Sequence, residues 1–183
     1  MRWDLLFDDL EAQLEIGGAL ERDAEVADRT RRERALLDLQ ARLLAQTGPG
    51  ATALGLVLGP QEVAGRLLDV GPDWALLETR PGREVLVALA AVRAVRGARP
   101  GARLPSVVAR RFTLGAAMRA VSRDRVPVEL TDVDGRARTG TVDVVGADHL
   151  DLAEHPGDEV RRPGNVTGTV LVPFSAIASV RRL

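Results

Sequence analysis

Few side chains in this sequence have the type and spacing for acid-base or metal chemistry, and most of them lie near its end. His149, Asp151 and His155 fall within one short stretch. On a strand, alternation places His149 and Asp151 on one face, but His155 belongs to the following turn and no third ligand stands at metal-motif spacing. The arrangement reads as the polar outer face of a half-buried strand. Ser106, Ser122, Ser175 and Ser179 lack a Gly-x-Ser-x-Gly context, so no activated nucleophile is indicated. The chain contains no cysteine and no lysine, and all 25 cationic side chains are arginine. Disulfides, thiolate metal sites, Schiff-base chemistry and a P-loop lysine are therefore excluded. The expectation is a non-enzymatic protein with no catalytic residue, cofactor, metal or small-molecule substrate.

The arginines are the better functional candidates. A formal net charge of −1 over 183 residues conceals blocks of −7 for residues 1–28, +9 for 29–125 and −3 for 126–183. Within the middle block, Arg93, Arg96, Arg99, Arg103, Arg110, Arg111, Arg119, Arg123 and Arg125 are opposed only by Asp124. Guanidinium groups bind phosphate bidentately, and a clustered set gives a salt-dependent affinity for RNA. Two features oppose that reading. The chain is close to neutral, and its aromatics are only Trp3, Phe7, Trp74, Phe112 and Phe174, too few to stack many bases. The competing reading pairs these arginines with the acidic N-terminal helix.

Residues 1–47 read as a helical arm. Trp3, Phe7, Leu10 and Leu14 fall on one stripe with acids around them, a candidate partner-binding face, although stripes of this kind usually pack on their own domain. Gly17-Gly18 weakens the helix, and 21–34 is almost wholly charged. Gly48-Pro49-Gly50 ends the arm. Five short strands follow within 48–98: 53–58, 63–70, 74–78, 85–88 and 92–96, the last two joined by Leu89-Ala90-Ala91. Residues 99–125 form a basic linker in which Thr113 caps a short helix. Residues 126–183 give five more strands: 126–132, 136–145, 149–154, 169–173 and 177–183. Asp134-Gly135 marks a hairpin, and a Gly/Pro-rich loop precedes the fourth strand.

These two strand sets align. GRLLDVGPDWALL (65–77) lies on GTVDVVGADHLDL (140–152), bringing Gly65 to Gly140, Gly71 to Gly146, Asp73 to Asp148 and Trp74 to His149. After a ten-residue slip, Val85, Val87, Val95 and Arg96 meet Val170, Val172, Val180 and Arg181. The pattern is that of an internal duplication. The glycines and Asp73/Asp148 read as turn and bulge residues.

The stretches LTDVDGRARTGTVDVVGADHLDLAE and VLVPFSAIASVRRL, and more faintly GRLLDVGPDWALLE with VLVALAAVRAVRG, resemble the Sm-like fold shared by Sm, Lsm and Hfq proteins. PRC-barrel and ribosome-maturation-factor barrels share the strand pattern. The whole chain also resembles an uncharacterised actinobacterial protein family opening with a WDLLFDDLEAQ-like helix. The resemblance implies an α+β, mainly β architecture: a helical arm, then two small five-stranded SH3-like barrels, each preceded by a helix. It does not bring the family's oligouridine pocket. Asp73-Trp74 and Asp148-His149 stand where an aromatic and asparagine are used, and Leu89-Ala90-Ala91 and Phe174-Ser175-Ala176 where Arg-Gly is used. Fourth- and fifth-strand edges left open in each copy are expected to pair, either between the copies or between chains. With no apolar run of about 18 residues, a cytoplasmic, membrane-free protein is expected. Its function is expected to be that of an adaptor or assembly module with a protein partner or itself, the alternative being RNA binding through the arginine-rich linker.

Overall fold

A computed structural model describes residues 25, 27–32, 34–106, 111–159 and 161–183. The chain divides into two units, Met1–Asp38 and Leu39–Leu183. In the first, residues 27–32 are helical and Asp28 accepts Arg31 at 3.2 Å and Arg32 at 2.6 Å, the i,i+3 and i,i+4 spacings of one helix face. The stripe Trp3, Phe7, Leu10 and Leu14 lies outside the described residues.

The second unit runs α1 (Leu39–Leu44), β1 (Ala53–Leu58), β2 (Gln61–Val70), β3 (Trp74–Arg80), β4 (Arg83–Ala88), β5 (Ala94–Arg96), α2 (Leu114–Asp124), β6 (Val128–Asp132), β7 (Ala137–Val145), β8 (His149–Glu154), β9 (Gly168–Pro173) and β10 (Ile177–Arg182). Single 3₁₀ turns at Leu89–Ala91 and Phe174–Ala176 join β4 to β5 and β9 to β10. No helix among the described residues is long and apolar enough to cross a membrane.

The strands do not close into two five-stranded barrels, as the sequence resemblance led us to expect. They form one open, ten-stranded antiparallel sheet in the order β5-β1-β2-β3-β4-β10-β6-β7-β8-β9. The reason is one pairing. β10 takes β6 on one side and β4 on the other, with Ser179, Val180 and Arg181 opposite Val87, Leu86 and Val85. A strand edge that would have ended the first half thus continues into the second, and the sheet's ends are β5 and β9. The expected pairing of fourth- and fifth-strand edges between the copies is present at this joint.

Each half has the same internal order, β5-β1-β2-β3-β4 and β10-β6-β7-β8-β9, and the same local devices. The β2–β3 register shifts between Leu67 and Asp69, and the β7–β8 register between the aligned Val142 and Val144. Extra residues at such bulges bend and twist the strand. A Cβ on Gly65 would meet the Glu78 carbonyl, and one on Gly140 the Ala153 carbonyl, so neighbouring backbone occupies the space of a side chain at both sites.

Burial follows the alternation. Leu67, Val70, Ala75, Leu77 and Val87 fill the first core with Leu43 and Leu44 of α1; Leu150, Leu152, Val172 and Ile177 fill the second with Leu114 and Met118 of α2. The cores also exchange residues across the joint. Ala178 of β10 packs in the first, while Ala88 is buried in the second with Trp74 and Leu86 partly buried against it. Replacing Gly140 by Ala forces the Ala153 backbone to move and is expected to lower stability by about 1–3 kcal/mol. Gly168→Ala, whose Cβ meets nothing within 4 Å, is expected to stay within about 0.5 kcal/mol of wild type. Urea unfolding of the two variants checks both values.

Candidate protein interface

The joint between the halves is built around Asp73 and Trp74, at the β2–β3 turn. The Asp73 carbonyl accepts the Leu89 N–H at 2.9 Å, tying the turn to the 3₁₀ segment, and the aligned Asp148 carbonyl accepts Phe174 N–H at 2.7 Å. The side chains then diverge. Asp73 Oδ1 accepts the Leu114 N–H at 2.7 Å, capping α2 from the other half of the sheet. Thr113, the residue expected to cap this helix, makes no side-chain cap bond. An unpaired first-turn N–H is a standing cost at a helix start, and here a tertiary contact meets it. Trp74 lies against Gly71, leaving no room for a Cβ there, and its Nε1–H donates to the Phe112 carbonyl at 2.6 Å. Reading Asp73 as a turn residue alone missed this role, since capping across halves leaves no local sequence signature.

In the second half, His149 lies on Gly146 just as Trp74 lies on Gly71. His149 Nδ1–H instead donates to its neighbour Asp148 at 2.9 Å, and that hydrogen bond holds the Asp148 carboxyl below the usual carboxylate range. Asp148 is 90% exposed. On β9, Leu171 is 60% exposed, whereas its counterpart Leu86 on β4 is half-buried and packs on the second core.

His149, Asp151 and His155 do not converge on one site. His155 is buried, with Nδ1 donating to the Pro156 carbonyl at 2.8 Å and Nε2 accepting the Thr141 hydroxyl at 2.8 Å. Both ring nitrogens are used structurally. Among the described residues no group of three His, Cys, Asp or Glu side chains could hold a metal ion.

The arginine set is distributed over several elements. Arg93 precedes the free edge strand β5 and Arg96 is its last residue, 3.5 Å from Glu62. Arg99 and Arg103 secure the linker to α1. The Gln46 side chain donates to the Arg99 carbonyl and accepts its N–H, both at 3.0 Å, while Arg103 N–H reaches the Ala41 carbonyl at 2.9 Å and its guanidinium bonds Thr47. Gln46 is buried, so this two-way amide contact is a packed fixture that the sequence did not announce. Arg125 ends α2 in the left-handed region (φ 54°) and pairs with Asp143 at 3.1 Å, a carboxylate also held by Arg161 at 2.7 Å. Arg111, Arg119 and Arg123 are exposed, and Arg119 and Arg123 line an open groove with Phe112, Ala116, Ser122 and Val145. Arg110 lies outside the described residues.

No protein-family model, curated protein or solved structure matches the chain at a significant level.

The capping geometry makes an asymmetric prediction. Asp73→Ala is expected to destabilise the protein by about 0.5–2 kcal/mol, the range for loss of a cap, whereas Thr113→Ala is expected to be close to neutral. Thermal unfolding followed by circular dichroism distinguishes the two.

Proposed function

We propose that this chain is a non-enzymatic assembly module that associates with further copies of itself through the two ends of its sheet. The observation that carries this reading is the β4–β10 joint. β9 aligns with β4 and β5 with β10, so the free ends carry counterparts of the two strands already paired inside the chain. Unpaired strand edges present rows of N–H and C=O groups, and strand addition satisfies them. Transferring the internal register gives the external one. Ser179–Val87, Val180–Leu86 and Arg181–Val85 become Ala94–Val172, Val95–Leu171 and Arg96–Val170, with β5 in one copy and β9 in its neighbour. Such a contact is heterologous, so it repeats head to tail and yields rings or open filaments according to the rotation per copy. The exposed Leu171 supports the reading, since pairing covers it as Leu86 is covered. On sequence grounds, Trp3, Phe7, Leu10 and Leu14 remain a second proposed partner-binding element.

The absence of native cysteine makes the register directly testable. A chain carrying both V95C and L171C is expected to form intermolecular disulfides under mild oxidation, because directly opposed strand positions meet the separation a disulfide requires. Cross-linking by either single variant as efficiently as by the pair would contradict the register. A mass by light scattering that stays monomeric across micromolar concentrations would sink the reading itself.

The second reading, RNA binding by the arginine-bearing linker, draws support from Phe112. It is 58% exposed beside Arg119 and Arg123, so a stacking face and two phosphate-binding groups share one groove. If it holds, the R119A/R123A variant reduces the magnitude of the salt slope for single-stranded RNA by about 1.4, at about 0.7 for each lost phosphate contact. Electrophoretic shifts from 50 to 200 mM salt measure this, and no shift with mixed RNA at low salt rejects it.

A further inference from the structure

The head-to-tail reading has a counterpart on the helices, and it points to a specific ion pair between copies. Inside the chain, α2 covers the joint, and a groove between the helix and the sheet is lined by Trp74, Leu76, Leu86, Ala117, Val121 and Val180. The helix side is apolar, and on the sheet side Glu84 and Arg182 stand beside the apolar residues. Along the sequence alignment, Leu76 becomes Asp151 and Leu86 becomes Leu171 at the free β9 end.

The same step relates the two helices. Shifting back by 75 residues carries Met118 onto Leu43, 0% and 1% exposed respectively, Leu114 onto Leu39, and Ala117 onto Arg42. The matched burial of Met118 and Leu43 supports the helix alignment. The match is partial: buried Leu44 falls on exposed Arg119, and the first residues of the two helices differ in burial as well. Leu114 is 4% exposed, in a cluster that includes Ala88 of the first half, whereas Leu39 is 41% exposed. The apolar combination Leu76 and Ala117 is thus replaced, on the two unjoined surfaces, by Asp151 and Arg42. Two independent positions change together, and they change to opposite charges. Neither side chain has an ion-pair partner among the described residues of its own chain.

We propose that Asp151 of one copy pairs with Arg42 of the next, with the exposed Leu39 seated against the His149 and Leu171 surface. The partner is a second copy of this chain. The inference rests on the reading of the sheet ends as self-association sites and adds the contact that fixes which surfaces meet. A charged pair suits this place. It is dispensable to the folded monomer, and it opposes wrong pairings, because like charges brought together across an interface cost several kcal/mol.

Charge exchange in the V95C/L171C background tests it, with cross-linked fraction against protein concentration as the readout and circular dichroism as the check on folding. Arg42→Glu and Asp151→Arg are each expected to raise the concentration for half-maximal cross-linking by about tenfold, one like-charge contact at a partly solvated site. The double exchange R42E/D151R is expected to restore the parent value. Should D151R perturb β8, Asp151→Asn replaces it and is expected to give a smaller shift in the same direction. Single variants that cross-link like the parent, or a double exchange no better than the singles, overturn the ion pair while leaving edge pairing intact. Failure of the parent double-cysteine chain to cross-link overturns both.

Discussion

The structure depends on the ladder between β4 and β10. Each half of the sheet makes only four internal strand pairings, and without a neighbour each would end in two exposed edges. The joint removes one edge from each half and brings residues from both into shared cores: Ala178 goes into the first cluster, and Ala88, Leu86 and Trp74 join the second. Two sets of roughly fifty to sixty residues, each near the lower size limit for an independent core, thereby share burial across the joint. Asp73 reinforces the arrangement, since it ties the first half's turn to the start of the second half's helix.

Much of the fold was legible because it is local. Strands 53–58 and 149–154 have the bounds read from the sequence, and the tight connections at Leu89–Ala91 and Phe174–Ala176 follow from their brevity. The alignment of Gly65 with Gly140 pointed to bent strands, and the structure locates the cause in the approaching carbonyls of Glu78 and Ala153. Closure of the sheet was not legible. Whether β4 turns back on its own half or continues into β10 depends on contacts some ninety residues apart, and periodicity is silent about them. Asp73 and Gln46 were missed for the same reason, since each serves a backbone group distant in sequence.

Composition proved a weaker guide to the arginines than position. Their density between 93 and 125 suggested one basic face, yet Arg96 and Arg125 stand beside carboxylates, and Arg99 and Arg103 hold the linker against α1. Arg119 and Arg123 share an exposed groove with Phe112, whereas the exposed Arg93 and Arg99 lie elsewhere on the chain. The histidines teach a similar lesson. His155 is consumed by Thr141 and Pro156, while His149 occupies the position that Trp74 uses to bind the following helix segment.

β10 is the last strand in sequence order, yet it lies in the middle of the sheet. During synthesis the first half must therefore wait, with β4 unpaired on one side, until the chain has been extended by nearly a hundred residues. The native ladder there is closed by long-range contacts, which form slowly because the intervening loop must be ordered first. For that interval the nascent protein presents a sticky edge to its neighbours on the same message. Domain exchange, in which β10 of one polypeptide completes the sheet of another, is the misassembly that this strand order makes cheapest.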